Sequence, residues 1–194
     1  MITARFFEQM AALPGSKTLQ WSFEMDQHPP HTLRSFDVQH EELRALIQKM
    51  GVHAETALRD AMEAVTHRDV DAAARVVQED RLLDDLETEA ESRTLELVAL
   101  RAPLADDLRE AFAALKISGV IERIGDYAKN IARRVPMLDQ GDEIESISLL
   151  NEMARIAGEL VHDALGAFVE RNTQTATKVW VSDLLVDDYY NSLF

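Results

Sequence analysis

The 194-residue sequence predicts an all-α fold of long antiparallel helices. Three observations predict it. Apolar residues recur at threes and fours over most of the chain, the signature of amphipathic helices. Glycine (7) and proline (5) are scarce while Ala, Leu, Glu and Arg abound, so little in the chain resists a helix. A stretch of sequence also returns, without a gap, 103 positions later, which predicts two tandem three-helix units joined by short turns.

Residues 1–33 read as a flexible arm, with a poorly periodic pattern, Pro14, Pro29 and Pro30, and Met25 as an alternative start. From Phe36 the helical stripe sets in through Leu43, Ile47, Met50, Ala54, Leu58, Ala61 and Val65, and "THRD" at 66–69 breaks it. A second helix over about 70–99 rests on Ala73, Val76, Val77, Leu83, Leu86, Leu95 and Val98. Pro103 suits the first turn of a third helix, and Asp106 and Asp107 favour its positive end. That helix is expected to stop near Arg133, Arg134 and Pro136. After a "DQGD" loop at 139–142, a fourth helix runs to about Arg171 and a fifth from about Thr173 onward.

The repeat pairs Leu46 with Leu149, Met50 with Met153, Ala54 with Ala157, Asp60 with Asp163 and Arg68 with Arg171. It continues into "DRLLDD" (80–85) against "DLLVDD" (183–188), and 13 of 46 aligned positions are identical. The expected units are 34–137, with three helices, and 142–194, with only the first two. On this reading the chain stops before a sixth helix. Val179, Trp180, Leu184, Leu185, Tyr189 and Phe194 would then lack part of their cover, which predicts self-association, as a homodimer or larger or by helix exchange.

Composition limits the chemistry. A formal net charge of −15 disfavours binding to phosphate backbones, so no nucleic-acid partner is expected. The absence of cysteine excludes disulfides and thiolate metal sites. No apolar run approaches the roughly 18 residues that span a bilayer, and the amino terminus is a poor secretion signal; the expected address is cytoplasmic. No nucleotide-binding or nucleophile motif is present, so no catalytic or cofactor-binding residue is assigned. Glu159 and His162 form a single E-x-x-H, where di-iron bundles need two.

The densest constellation lies in "LKISGVIERIGDYAKNIARR" (115–134). Glu122, Asp126 and Asn130, four residues apart, rise along one helix face, and Asp80, Asp84 and Glu87 do the same on the second helix. Carboxylate and amide oxygens on one stripe suit hard divalent or ferric ions. A solvated acidic face, with Glu122 paired to Arg123 or Lys129, is the plainer alternative.

Two stretches, "RDVDAAARVVQEDRLLDDLE" (68–87) and "ALRAPLADDLREAFAALKISGVIERIGDYAKNIARR" (99–134), resemble the PhoU family of bacterial phosphate-uptake regulators. The resemblance extends over about 36–194. It implies an all-helical, non-enzymatic cytoplasmic protein built of two PhoU-like repeats, reaching the membrane only peripherally through its partners. These partners would be a phosphate ABC transporter ATPase and a sensor histidine kinase, and the protein would repress the phosphate-starvation regulon when phosphate is plentiful. It also implies metal binding at E/D-x-x-x-D motifs: Glu122 and Asp126 followed by Asn130, Asp80 with Asp84, and Asp183 with Asp187. Iron, zinc, magnesium, manganese and nickel are not distinguished. Gly119-Val120 departs from the Asn-Asp pair usual in the family, and Asp183 and Asp187 would lack the partners of a sixth helix. A carboxylate-liganded metal-binding bundle, a metalloenzyme or a metal store, is the alternative function.

Overall fold

The computed structural model describes residues 30–101, 103, 105–138 and 144–192. These form five long helices and one single turn: α1 Pro30–His67, α2 Val70–Arg101, α3 Ala105–Ala132, α4 Val135–Leu138, α5 Ile147–Val169 and α6 Thr173–Asn191. No strand occurs among the described residues, and no helix there is long and apolar enough to cross a membrane. The all-α expectation holds. The expected arm is shorter at its end, because residues 30–33 already belong to α1, with Pro30 in the first turn where a missing N–H costs nothing. Residues 1–29 and Phe194 lie outside the described residues.

α1 is the axis of the bundle, packed by α2, α3 and α5, and α6 packs chiefly on α5. Its stripe is buried as the sequence predicts, at Leu43, Ile47, Met50, Ala54, Ala61 and Val65. These residues share two cores. One joins Leu43, Ile47, Met50 and Ala54 to Leu83, Leu86, Ile117, Ile121, Leu160 and Leu165. The other joins Ala61 and Val65 to Val76, Ala128 and Val135. At Gly51 α1 and α5 approach closely, since a Cβ there would overlap Leu165 Cδ1.

On α2 the buried line runs Leu83, Leu86, Ala90, Thr94 and Leu97. Leu95, predicted for the core, is 66% exposed, because it falls out of phase with that line. Thr94 takes the buried place and donates its hydroxyl to the Ala90 carbonyl at 2.7 Å.

The turns explain the helix ends. After α1, Arg68 adopts φ 53°, the Arg68 N–H donates to Val65 O, and the Asp69 N–H donates to Ala64 O at 2.9 Å. Asp69 then caps α2 by accepting from the Ala72 N–H at 2.8 Å. After α5 the same turn recurs 103 residues on. Arg171 has φ 54°, the Asn172 N–H donates to Ala167 O at 2.8 Å, and Asn172 caps α6 through the N–H groups of Gln174 and Thr175.

The expected uncovered set on α6 is only partly uncovered. Val179 is buried against α5 and Tyr189 is half-buried, whereas Trp180, Leu184 and Leu185 are exposed. The physical reason is helical phase: Val179 lies on the α5 side, and Trp180, one residue on, turns about 100° away from it.

Candidate functional site

The sequence-predicted acids of α2 and α3 line one seam between these two helices. Gly125 permits the close approach, since a Cβ there would overlap Leu83 Cδ2 and would stand 3.7 Å from Asp80 Oδ1. At one end of the seam Lys129 inserts its ammonium between Asp80 and Asp126, pairing with both. The Asp80 side chain is only 8% exposed, and this contact compensates its burial. The bland expectation had Lys129 or Arg123 neutralising Glu122; instead Arg123 Nε donates to the Tyr127 hydroxyl at 3.3 Å.

Glu122 therefore sits among acids. Burial pushes its carboxyl up to about 7, and Asp126, Glu87 and Asp84 push in the same direction against the pull of Lys129. Glu87 is raised as well, first by burial and then by Glu91, Asp84 and Asp126. Below it, a Cβ at Gly119 would lie 3.3 Å from Glu87 Oε1, so the small residue that departs from the family pattern leaves space for an acid. Asn130 is exposed, and its backbone carbonyl accepts from Arg134.

The side chains along the seam offer carboxylate oxygens, the ligand type that hard cations take. The ammonium of Lys129 holds the place between Asp80 and Asp126. Among the described residues, no three His, Asp or Glu side chains converge as a ready-made metal set.

The second pair of acids is arranged differently. Asp183 is buried on the α5 side of α6, and its Oδ1 has no hydrogen-bond partner among the described residues. Asp187 is exposed. The E-x-x-H residues diverge: Arg155 pairs with Glu159, and His162 Nδ1 stands 3.4 Å from Glu55 Oε2. Glu159, with Arg155 and Glu55, borders an open groove of about 460 Å³ between α1 and α5 that Leu58, Met62 and Ala154 also line.

One charged centre escaped the sequence reading. Glu110, near the start of α3, is buried and accepts from Arg44 Nε of α1 at 2.5 Å and from the guanidinium of Arg171, in the α5–α6 turn. His40 Nδ1 lies 3.9 Å away. Burial opposes ionisation of Glu110, but hydrogen bonds from His40, Arg44 and Arg171 outweigh it and hold the carboxyl well below the usual range. The signal available in sequence was Arg171, which the repeat aligns with Arg68 but cannot connect to Glu110.

A bundle of long helices with an acidic α2–α3 seam and a recurring helix–turn unit defines the class: an all-helical bundle protein built on a repeated helical hairpin. The family comparison makes this specific. Residues 47–135 match the PhoU domain. A "Phosphate-specific transport system accessory protein PhoU homolog" of Zymomonas mobilis is 44% identical over 84% of this chain and 69% of its own length. A namesake from Caulobacter vibrioides is 38% identical over 84% and 72%. The crystal structure of PhoU from Pseudomonas aeruginosa superposes with a TM-score of 0.77 at 28% identity, covering 81% of this chain and 76% of that one. The phosphate transport system regulatory protein PhoU from Streptococcus pneumoniae gives 0.76 at 25% identity, covering 81% and 74%. The chain belongs to the PhoU family.

Proposed function

We propose that this protein is a non-enzymatic cytoplasmic regulator of phosphate uptake. It would dock on the ATPase of a phosphate ABC transporter and on a sensor histidine kinase, and repress the phosphate-starvation response when phosphate is plentiful. The observation that supports this most is the 44% identity to a phosphate-specific transport accessory protein, across 84% of the chain. An α-helical surface suits docking. Self-association belongs to the same proposal. In the α2–α3 seam, Glu122 and Asp126, with Asp80 and Asp84 opposite and Asn130 one turn on, would hold a hard cation that supplies charge neutralisation. The protein's own residues position these oxygens and keep Glu122 partly protonated near neutral pH. Asp183 and Asp187 would form a weaker second site.

The experiment is deletion of the gene in its own host, with a phosphate-starvation promoter reporter in phosphate-rich medium. The expected result is a reporter switched on, silenced again by the restored protein, with capture of the transporter ATPase and the kinase by the tagged chain. A silent reporter in the deletion strain, or no capture of either partner, refutes the reading. Metal analysis of protein purified without chelator checks the seam: bound metal should fall in Glu122→Gln and Asp126→Asn.

A further inference from the structure

Helix α6 carries apolar side chains on two sides. One side packs on α5 through Val179, with Ala176 and Val186 partly buried. The other side shows Trp180 at 57%, Val181 at 64%, Leu184 at 63% and Leu185 at 51% exposure. At about 100° per residue these four positions form one stripe, roughly opposite the α5 side.

The internal repeat shows that most of this stripe, at Val181, Leu184 and Leu185, is not the place where a third helix would pack. Its counterparts on α2 are Val77, Gln78, Arg81 and Leu82. Gln78, Arg81 and Leu82 are exposed, whereas Val77 packs partly on the core shared with Ala128 and Ala132 of α3; α3 meets α2 chiefly at Asp80, Leu83 and Leu86, the counterparts of Asp183, Val186 and Tyr189. Where α2 places Gln78 and Arg81 in water, α6 places Val181 and Leu184. An exposed patch of that kind, on the order of several hundred Å², marks an interaction surface.

We propose that the stripe is an isologous contact with a second copy of this chain, the two α6 helices running antiparallel and centred between Ser182 and Asp183. The apolar pattern is the same read in either direction about that point: Trp180 falls opposite Leu185, and Val181 opposite Leu184. The charges agree with the direction. Lys178 of each copy stands level with Asp187 of the partner copy and one residue from its Asp188, whereas a parallel pair would place these acids beside one another. With α5 behind each α6, the contact brings two helical hairpins together as a four-helix arrangement. It deepens the self-association in the proposed function and is independent of the phosphate-signalling part. A dimer without any effect on the phosphate response leaves the contact standing, and a monomer that regulates normally removes it.

Sedimentation velocity of the full chain across the micromolar range is the test. The expected result is a concentration-dependent dimer that Leu184→Glu and Val181→Arg each convert to monomer, with helix content and melting temperature unchanged, while Leu82→Glu on the outer face of α2 leaves it intact. The chain has no cysteine, so register can be read by cross-linking. A mixture of Val181→Cys and Leu184→Cys proteins should form the mixed disulfide in preference to either homodisulfide. A monomer throughout the range, a dimer indifferent to Leu184→Glu, or preferred homodisulfides would each overturn the proposal.

Discussion

Replacing Glu110 by glutamine removes the charge that joins three segments distant in sequence. The side chain is 10% exposed, and its partners differ: Arg44 is 22% exposed and Arg171 62%. Breaking a fully buried ion pair from one side costs about 3–5 kcal/mol. Solvent screens the exposed Arg171, and glutamine keeps one acceptor oxygen, so the loss here is set lower, at about 2–3 kcal/mol. For a chain of this size that lowers the melting temperature by roughly 5–10 °C. Because the folded carboxyl titrates below its ordinary value of 4.5, its contribution is complete above that pH and declines as the pH falls below it, toward the folded value. Thermal melts of wild type and Glu110→Gln should therefore differ fully at pH 7 and converge between about pH 4.5 and the acid limit of folding. A cycle with Arg171→Ala separates the hairpin's share from that of Arg44. A melting difference under about 1 °C at pH 7, or one that widens on acidification, would refute the reasoning.

Three further outcomes are expected. Glu122→Gln should stabilise the metal-free protein by about 1 kcal/mol at pH 8 and by less at pH 5, because a carboxyl raised to about 7 favours the fold when protonated and opposes it once ionised; urea unfolding at both values checks the sign. Gly51→Val, forced against Leu165, should cost about 2–3 kcal/mol, whereas Gly158→Ala, with nothing within 4 Å of its Cβ, should gain up to about 1 kcal/mol, read from paired thermal melts. Asp69→Ala, which deletes the α2 cap, should cost about 1 kcal/mol and speed amide exchange at Ala72, measured by hydrogen exchange.

The helices were legible because their apolar spacing is long and regular, and the turn after α1 because Asp69 is a capping residue in the right place. Leu95 was misread for a reason of phase: Thr94 satisfies its hydroxyl within the helix, so a polar residue fills the buried line and the leucine beside it turns outward. The acidic stripes at Asp80, Asp84, Glu122 and Asp126 were legible because four-residue spacing fixes a helix face without tertiary information. Which cation they meet was not. Lys129 reaches Asp80 across the seam only because Gly125 lets α2 and α3 close on each other. Glu110 was illegible for a stronger reason, since its partners Arg44 and Arg171 lie 66 and 61 positions away and no periodicity links them.

The two copies of the helix–turn–helix unit are alike in backbone and unlike in charge. Both turn through an arginine near φ +54° and cap the next helix with an Asx side chain. Yet Asp80 is met by Lys129, while the Oδ1 of its counterpart Asp183 has no partner among the described residues. Arg171 is drawn into the Glu110 cluster on the first unit. In the first unit the ammonium of Lys129 neutralises Asp80 and Asp126 together. At Asp183 no ammonium stands in that place among the described residues. The two hairpins therefore share a backbone plan, and the first differs in the charge around its aspartate, where α3 supplies Lys129.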